Sequence, residues 1–229
     1  MIRMDEQKHE GDSVIPLQNY LSSEEIEEIR ANISLVHHSK RDIIFRQNSG
    51  TSHLMFVKSG LVKVYKENKN GRAYILKILT SGEFLGLLSF YGNTIQQFSA
   101  SAVEDCEIGY IDIQIFNRIL KKNGTFAMEL IRLVSREGLN MFDKLLRLSH
   151  KQLPGRIADV ILYFSDIIHK NEEFDFPLTR RELAELAGTT KESFIRTLAE
   201  FKNDKIIELN GSHVKIKSMK IVRTLSELG

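Results

Sequence analysis

Apolar positions follow three rhythms in succession along the chain. The first zone, residues 14–115, opens on a helical period in which Ile26, Ile29 and Ile33 share a face. Ser22 or Ser23 stands where a cap is needed, and Glu24 and Glu25 suit the positive helix end. Apolar runs of strand length follow at 43–46, 54–58, 61–66, 73–79, 99–102 and 107–111. Glycines at 50, 60, 71, 82 and 92 punctuate them ten or eleven residues apart, the rhythm of an antiparallel barrel or jelly roll. Asn70-Gly71, between two of these runs, predicts a type I′ hairpin.

The second rhythm is one long helix over about 125–148, with Thr125 as its cap. Ala127, Ile131, Val134, Gly138, Met141, Leu145 and Leu148 are separated alternately by four and three residues. That is the a/d stripe of a helix pair, narrower than the stripe of a helix on its own core. It predicts a homodimer seam of Ile131, Val134, Gly138, Met141 and Leu145, with Gly138 allowing close backbone approach. A helix packed on its own domain is the plainer alternative and stays open.

The third rhythm follows a polar hinge at 149–151. Pro154 suits the first turn of a helix running to about His169, and 170–175 reads as a charged loop. Residues 178–209 read LTRRELAELAGTTKESFIRTLAEFKNDKIIEL. Thr179-Arg180-Arg181-Glu182 is a capping box, and Leu183, Leu186 and Ala187 face inward. Ala184 and Gly188 let two helices cross closely, with Gly188 at a left-handed cap. Thr189 or Thr190 caps a second helix, which Phe194 and Leu198 hold to the core. Lys191, Glu192, Ser193 and Arg196 are left on its outer face near the N-terminus, where a recognition helix meets base edges. Then 206–209, Asn210-Gly211 and 214–217 form a tight hairpin with a basic outer strand, which is a wing.

The chemistry suits those positions. Arginine donates twice to guanine O6 and N7, and glutamate accepts from cytosine N4. Lysine, hydroxyl groups and a helix N-terminus bind phosphate. The expected DNA-contacting set is Thr179, Arg180, Thr190, Lys191, Glu192, Ser193, Arg196 and Lys215. A solvated face with a Glu192–Arg196 pair is the bland alternative, and the order helix, turn, helix, wing argues against it. The net charge of +2 adds little, but residues 177–223 hold ten Lys/Arg against six Asp/Glu.

One cysteine, Cys106, excludes an intramolecular disulfide and a four-thiolate zinc or iron–sulfur site. Residues 1–13 read as a polar tail without the apolar core of a secretory signal, and no run is long enough to span a membrane. The expectation is a cytoplasmic α+β protein with no catalytic or metal site. Its parts are a tail (1–13), an antiparallel β-roll sensor (14–122), a dimerisation helix (123–150) and a winged helix-turn-helix domain (151–229). A cupin-type enzyme, the other class a roll suggests, lacks its clustered His and Glu ligands.

Over residues 14–220 the chain resembles the CRP/FNR superfamily of bacterial transcription regulators. The resemblance rests on Ser59-Gly60-Leu61-Val62-Lys63-Val64-Tyr65, Gly82-Glu83-Phe84-Leu85-Gly86, the long helix, and the segment from Thr190 to Arg196. It implies a double-stranded β-helix of the cyclic-nucleotide-binding type, a homodimer on a palindromic operator, and RNA polymerase as a partner. Lys191, Glu192 and Arg196 match the family's recognition pattern. The serine that one branch of the family carries before the final Arg is Ile195 here. The family's cyclic-nucleotide contacts are a Glu, which is Leu87 here, and an Arg-Ser pair, where this chain reads Ile95-Gln96-Gln97-Phe98. A buried cyclic phosphate would find no cation there, which argues against cyclic AMP. A cyclic-nucleotide module without DNA activity is a further alternative, against which the recognition helix and wing stand.

The expected effector pocket comprises Phe84, Leu85, Gly86, Leu87, Leu88, Gln96 and Gln97. Plain core packing, an apolar ligand, or haem held by His37, His38, His53 or His150 are the readings it leaves open. Cys106 as a redox sensor is disfavoured by acidic neighbours that raise a thiol pKa.

Overall fold

The computed structural model describes residues 15–229 apart from 51, 72 and 94. The tail expected over 1–13 lies outside the described residues. Helix α1 (Ser23–Arg30) starts on a full capping box between Ser22 and Glu25 and buries Ile29. Ile33 does not continue it: it opens β1 (Ile33–His38), where it pairs with Ile111. Both faces of β1 are largely exposed, so the strand carries no alternation a sequence pattern reveals.

The remaining strands of the first zone are β2 (Ile43–Phe45), β3 (His53–Ser59), β4 (Val62–Glu67), β5 (Ala73–Leu79), β6 (Phe84–Leu85), β7 (Ser99–Ala102) and β8 (Cys106–Asp112). They form two antiparallel four-stranded sheets, ordered β1-β8-β3-β6 and β2-β7-β4-β5, the expected roll. Buried Met55, Val57, Val62, Leu79, Leu85 and Ile108 fill the space between them. The β4–β5 connection is not the expected two-residue turn. Glu67 pairs with Ala73, the loop closes by Gly71 N–H donating to Asn68, and Asn70 does not take the positive φ that type I′ needs. Two helices were not anticipated: α2 (Leu87–Asn93) within the apolar cassette, and α3 (Ile113–Lys122), capped by Asp112.

Helix α4 (Gly124–His150) has 27 residues, about 40 Å of axis. Its cap is Asn123, not Thr125: the Asn123 carbonyl oxygen accepts from Phe126 N–H, while its amide donates to the Tyr20 carbonyl and Glu25. Phe126 and Leu130 pack into a core with Ile29, Phe56 and Phe116, which fixes the helix to the roll.

Helix α5 (Leu153–Leu162) has Pro154 in its first turn and ends in a π-helical segment, Tyr163–His169. The expected charged loop contains a short strand, β9 (Glu173–Asp175). Then follow α6 (Arg180–Leu186), α7 (Lys191–Asn203), β10 (Ile207–Asn210), β11 (His213–Ile216) and an unanticipated α8 (Met219–Leu228). The three strands form one antiparallel sheet, β10-β11-β9. One buried cluster runs from Leu61, Tyr65, Ile75 and Ile78 of the roll to Ile157, Phe164, Leu183 and Phe194. The C-terminal helices and sheet therefore pack on the roll, with α6 against β5.

Candidate nucleic-acid interface and effector cavity

The helix-turn-helix is assembled from local chemistry. Thr179 and Glu182 close the capping box of α6. Gly188 ends it at φ 64°, in the left-handed region that favours glycine, and a Cβ there would lie 2.7 Å from Leu148 Cδ2. Thr190 caps α7: its hydroxyl oxygen accepts from Ser193 N–H at 3.2 Å. Phe194, Thr197, Leu198 and Phe201 are buried, so α7 turns Lys191, Glu192, Ile195 and Arg196 to solvent. The side chains of Lys191, Glu192 and Arg196 pair with no described residue, and Glu192 and Arg196 are not bonded to each other. Their hydrogen-bonding groups are open to an incoming base edge or phosphate.

The wing is built by β10 and β11, with Asn210 paired to His213. The loop is thus Gly211-Ser212, one residue on from the expected Asn210-Gly211. Gly211 takes φ 59° at the first central position, where a II′ turn calls for glycine. Two expected phosphate contacts are otherwise engaged. Arg180 lies on the Phe176 ring and donates to the Gly211 carbonyl, tying the wing to α6. Lys215 Nζ donates to Glu173 at 2.6 Å. Thr179 is likewise committed to its cap.

Behind this face lies a cavity of about 410 Å³. Val64, Leu76, Leu79, Phe84, Leu87 and Phe98 line it from the roll, Leu133, Val134, Met141 and Leu148 from α4, and Val160, Leu186 and Ala187 from α5 and the helix-turn-helix. Its charged groups are Lys77, Glu83, Glu137, Lys144, Arg147, Arg156 and Asp159. Lys77 Nζ lies 2.6 Å from Glu83 and 2.9 Å from Glu137. Burial pulls the Lys77 ammonium down, but these two carboxylates outweigh it and hold its pKa above the ordinary value. Lys144 Nζ donates to the carbonyls of Ile75 (3.0 Å) and Leu76 (2.7 Å), bracing α4 on β5. Burial, with Arg147 nearby, lowers its pKa to about 8. Tyr163 Oη donates to the Ile78 carbonyl at 2.8 Å, and burial pushes this phenol up.

Residues 35–123 match the family model for a cyclic nucleotide-binding domain, and residues 155–225 match that for a Crp-like helix-turn-helix domain. The chain belongs to the CRP/FNR superfamily. It is 23% identical over 181 residues to the cAMP-activated global transcriptional regulator CRP of Salmonella typhimurium, covering 77% of this chain and 86% of that one. It is 24% identical to electron transport regulator A of Shewanella oneidensis over 77% of this chain and 72% of that one. Among solved structures, FixK2 of Bradyrhizobium japonicum superposes with a TM-score of 0.77 at 19% identity, covering 84% of this chain and 96% of that one. This CRP/FNR protein is therefore a DNA-binding transcription regulator and not an enzyme, as the sequence pattern leads one to expect.

Within this CRP/FNR fold, the residues expected to form an effector pocket separate. Phe84, Gly86, Leu87 and Leu88 line the cavity, whereas Leu85 is buried in the roll core and Gln96 and Gln97 do not line it. The Gln96 side chain is buried against Gly86, with neither amide atom hydrogen-bonded to a described residue. The seam residues separate as well: Val134 and Met141 line the cavity. The most exposed apolar residues of α4 are Phe142 (68%), Leu139 (65%), Leu145 (63%), Ile131 (56%) and Leu146 (54%). His37, His38, His53 and His150 lie on β1, β3 and the end of α4, and none lines the cavity, so the residues there do not fit a haem. Cys106 is buried, and burial with Glu104 and Asp105 raises its thiol to about 11, which disfavours the thiolate that a redox sensor uses. The cavity's cations escaped the sequence reading. Their only signal is that Lys144 and Arg147 interrupt the apolar pattern of α4.

Proposed function

We propose that this regulator acts as a homodimer on a palindromic operator, with an effector in the cavity setting its DNA affinity. The observation that carries the reading is the cavity's lining: one small molecule there touches the roll, the long helix and the helix-turn-helix together. An effector shifts a conformational equilibrium only as far as it contacts the two states differently. A ligand wedged between three elements meets that condition.

The dimer follows from the exposed face of α4. Ile131, Leu139, Phe142 and Leu145 fall on one side of α4 that no described residue covers. A second copy of α4 is the occupant that the 3.5-residue stripe of Ile131, Val134, Gly138, Met141 and Leu145 specifies. Two recognition helices are then positioned to read half-sites about one helical turn, ~34 Å, apart. Glu192 and Arg196 read base edges, while Lys191, Ser193 and the α7 N-terminus hold phosphate. Transcriptional output is expected to pass through contact with RNA polymerase.

The test is selection of the operator from random duplexes, followed by sedimentation of the protein with and without it. The expected result is a palindromic site bound by two chains. A non-palindromic site bound by one chain would overturn the reading. An effector role further requires that bulk introduced into the cavity by Leu88→Trp change operator affinity.

A further inference from the structure

The charged groups of the cavity are sorted by sign along its length. At one end Glu83 and Glu137 share the single cation Lys77, leaving one surplus negative charge. At the other, Asp159 is matched by Lys151 Nζ at 2.7 Å. Three cations there, Lys144, Arg147 and Arg156, have no carboxylate partner among the described residues. Each retains an unused donor. Lys144 spends two of its three N–H groups on the Ile75 and Leu76 carbonyls. Arg156 Nη1 donates to the carbonyls of Ala187 and Gly188, but its Nε is buried with no acceptor. The Arg147 guanidinium is unpaired. A buried donor without an acceptor is costly, as at Arg156 Nε, and Lys144 and Arg147 repel each other with no anion between them. Burial first, and Arg147 second, lower the Lys144 pKa.

We infer that the effector is a monoanion with an apolar body, an acyl or aryl carboxylic acid, whose carboxylate lies against Lys144, Arg147 and Arg156. This deepens the effector reading above and rests on it. Apart from Ser89, Asn140 and Tyr163, the remaining wall is apolar (Leu79, Phe84, Leu87, Phe98, Val134 and Met141), which suits an apolar body. The surplus charge at Glu83 and Glu137 disfavours a second anionic group. Seated this way, the ligand joins the hinge between α4 and α5 to the Ala187–Gly188 turn ahead of the recognition helix.

The experiment is titration calorimetry of the full chain with decanoate, decylamine and cyclic AMP, paired with operator affinity. Decanoate is expected to bind saturably, at least tenfold more weakly to Arg147→Gln and to Lys144→Met, and not to Leu88→Trp. Arg147 is exposed, so its replacement leaves the fold intact. Decylamine binding as tightly as decanoate, or decanoate binding equally to the parent chain and both charge variants, overturns the inference. So does saturable cyclic AMP binding without decanoate binding. If decanoate does not bind but Leu88→Trp still shifts operator affinity, the effector cavity stands and the ligand class falls. If neither effect is seen, both fall.

Discussion

Glu192 and Arg196 sit one helical turn apart on the exposed face of α7, a spacing at which ion pairs are common, and they are not paired. An arginine held by an intrahelical carboxylate would have to break that contact before donating to a guanine. Here it does not. Arg196→Ala is expected to cost about 1–3 kcal/mol at the selected operator and to relax preference at one position of each half-site. Lys191→Ala should weaken all sequences alike and lower the salt slope by about one per half-site. Competition binding over a range of salt separates the two, and a uniform loss in Arg196→Ala would remove it as a base reader. Arg180 and Lys215 are both basic and near the wing, and each already has partners: Gly211 and Phe176 for the first, Glu173 for the second.

At the scale of elements, α4 carries two apolar faces, and the heptad pattern merges them. Ile131, Gly138 and Leu145 recur every seven residues, and their partners at plus three, Val134 and Met141, line the cavity while staying partly exposed. Leu139, Phe142 and Leu146, one or four residues after Gly138 or Leu145, are more exposed. Phe142→Ser is therefore expected to weaken self-association by about 2 kcal/mol or more, with a smaller loss for the less exposed Met141→Ser. Sedimentation across a concentration series reads this directly. Helix α6 poses a related case. Glu182 closes its cap and also pairs with Lys63 of the roll. Burial raises this carboxyl, but the bonds from Lys63 and Thr179 outweigh it and leave its pKa below the ordinary value. Glu182→Ala removes the side-chain half of the capping box and the interdomain pair, for an expected loss of about 1–2 kcal/mol in chemical denaturation. The pair's stabilisation is present above the ordinary carboxylate pKa and is lost as pH falls through the lowered one.

At the scale of the molecule, the cavity links stability to pH. Lys144 has a folded pKa of about 8, against roughly 10.4 in an unfolded chain. Between those values the unfolded state binds more protons, so this group's destabilising effect is full below pH 8 and vanishes toward pH 10.5. Unfolding free energy measured from pH 7.5 to 10 should rise more in the parent chain than in Lys144→Met. An equal rise in both would mean that the ammonium is solvated.

The chain's local code settled most of the elements. Capping boxes at Ser22 and Thr179, the left-handed Gly188 and the inward Phe194 and Leu198 depend on neighbours within a few residues, so their patterns are written in sequence. The same holds for the winged helix-turn-helix, and for Glu192 and Arg196 on its open face. Strand β1 was hidden because both its faces are largely exposed, and α8 is a short terminal helix with one fully buried residue, Val222. Tertiary structure alone decided what the long helix touches and where charge collects. Lys77, Lys144 and Arg156 come from separate elements, and their carbonyl and carboxylate partners lie as much as 69 residues away. No local period encodes such a meeting. The docking of α6 on β5, with Glu182 reaching Lys63 across 119 residues, is of the same kind. Reading DNA is a property of one helix and its turn, and it is legible locally. The cavity is a property of the space between three elements, which exists only after they pack.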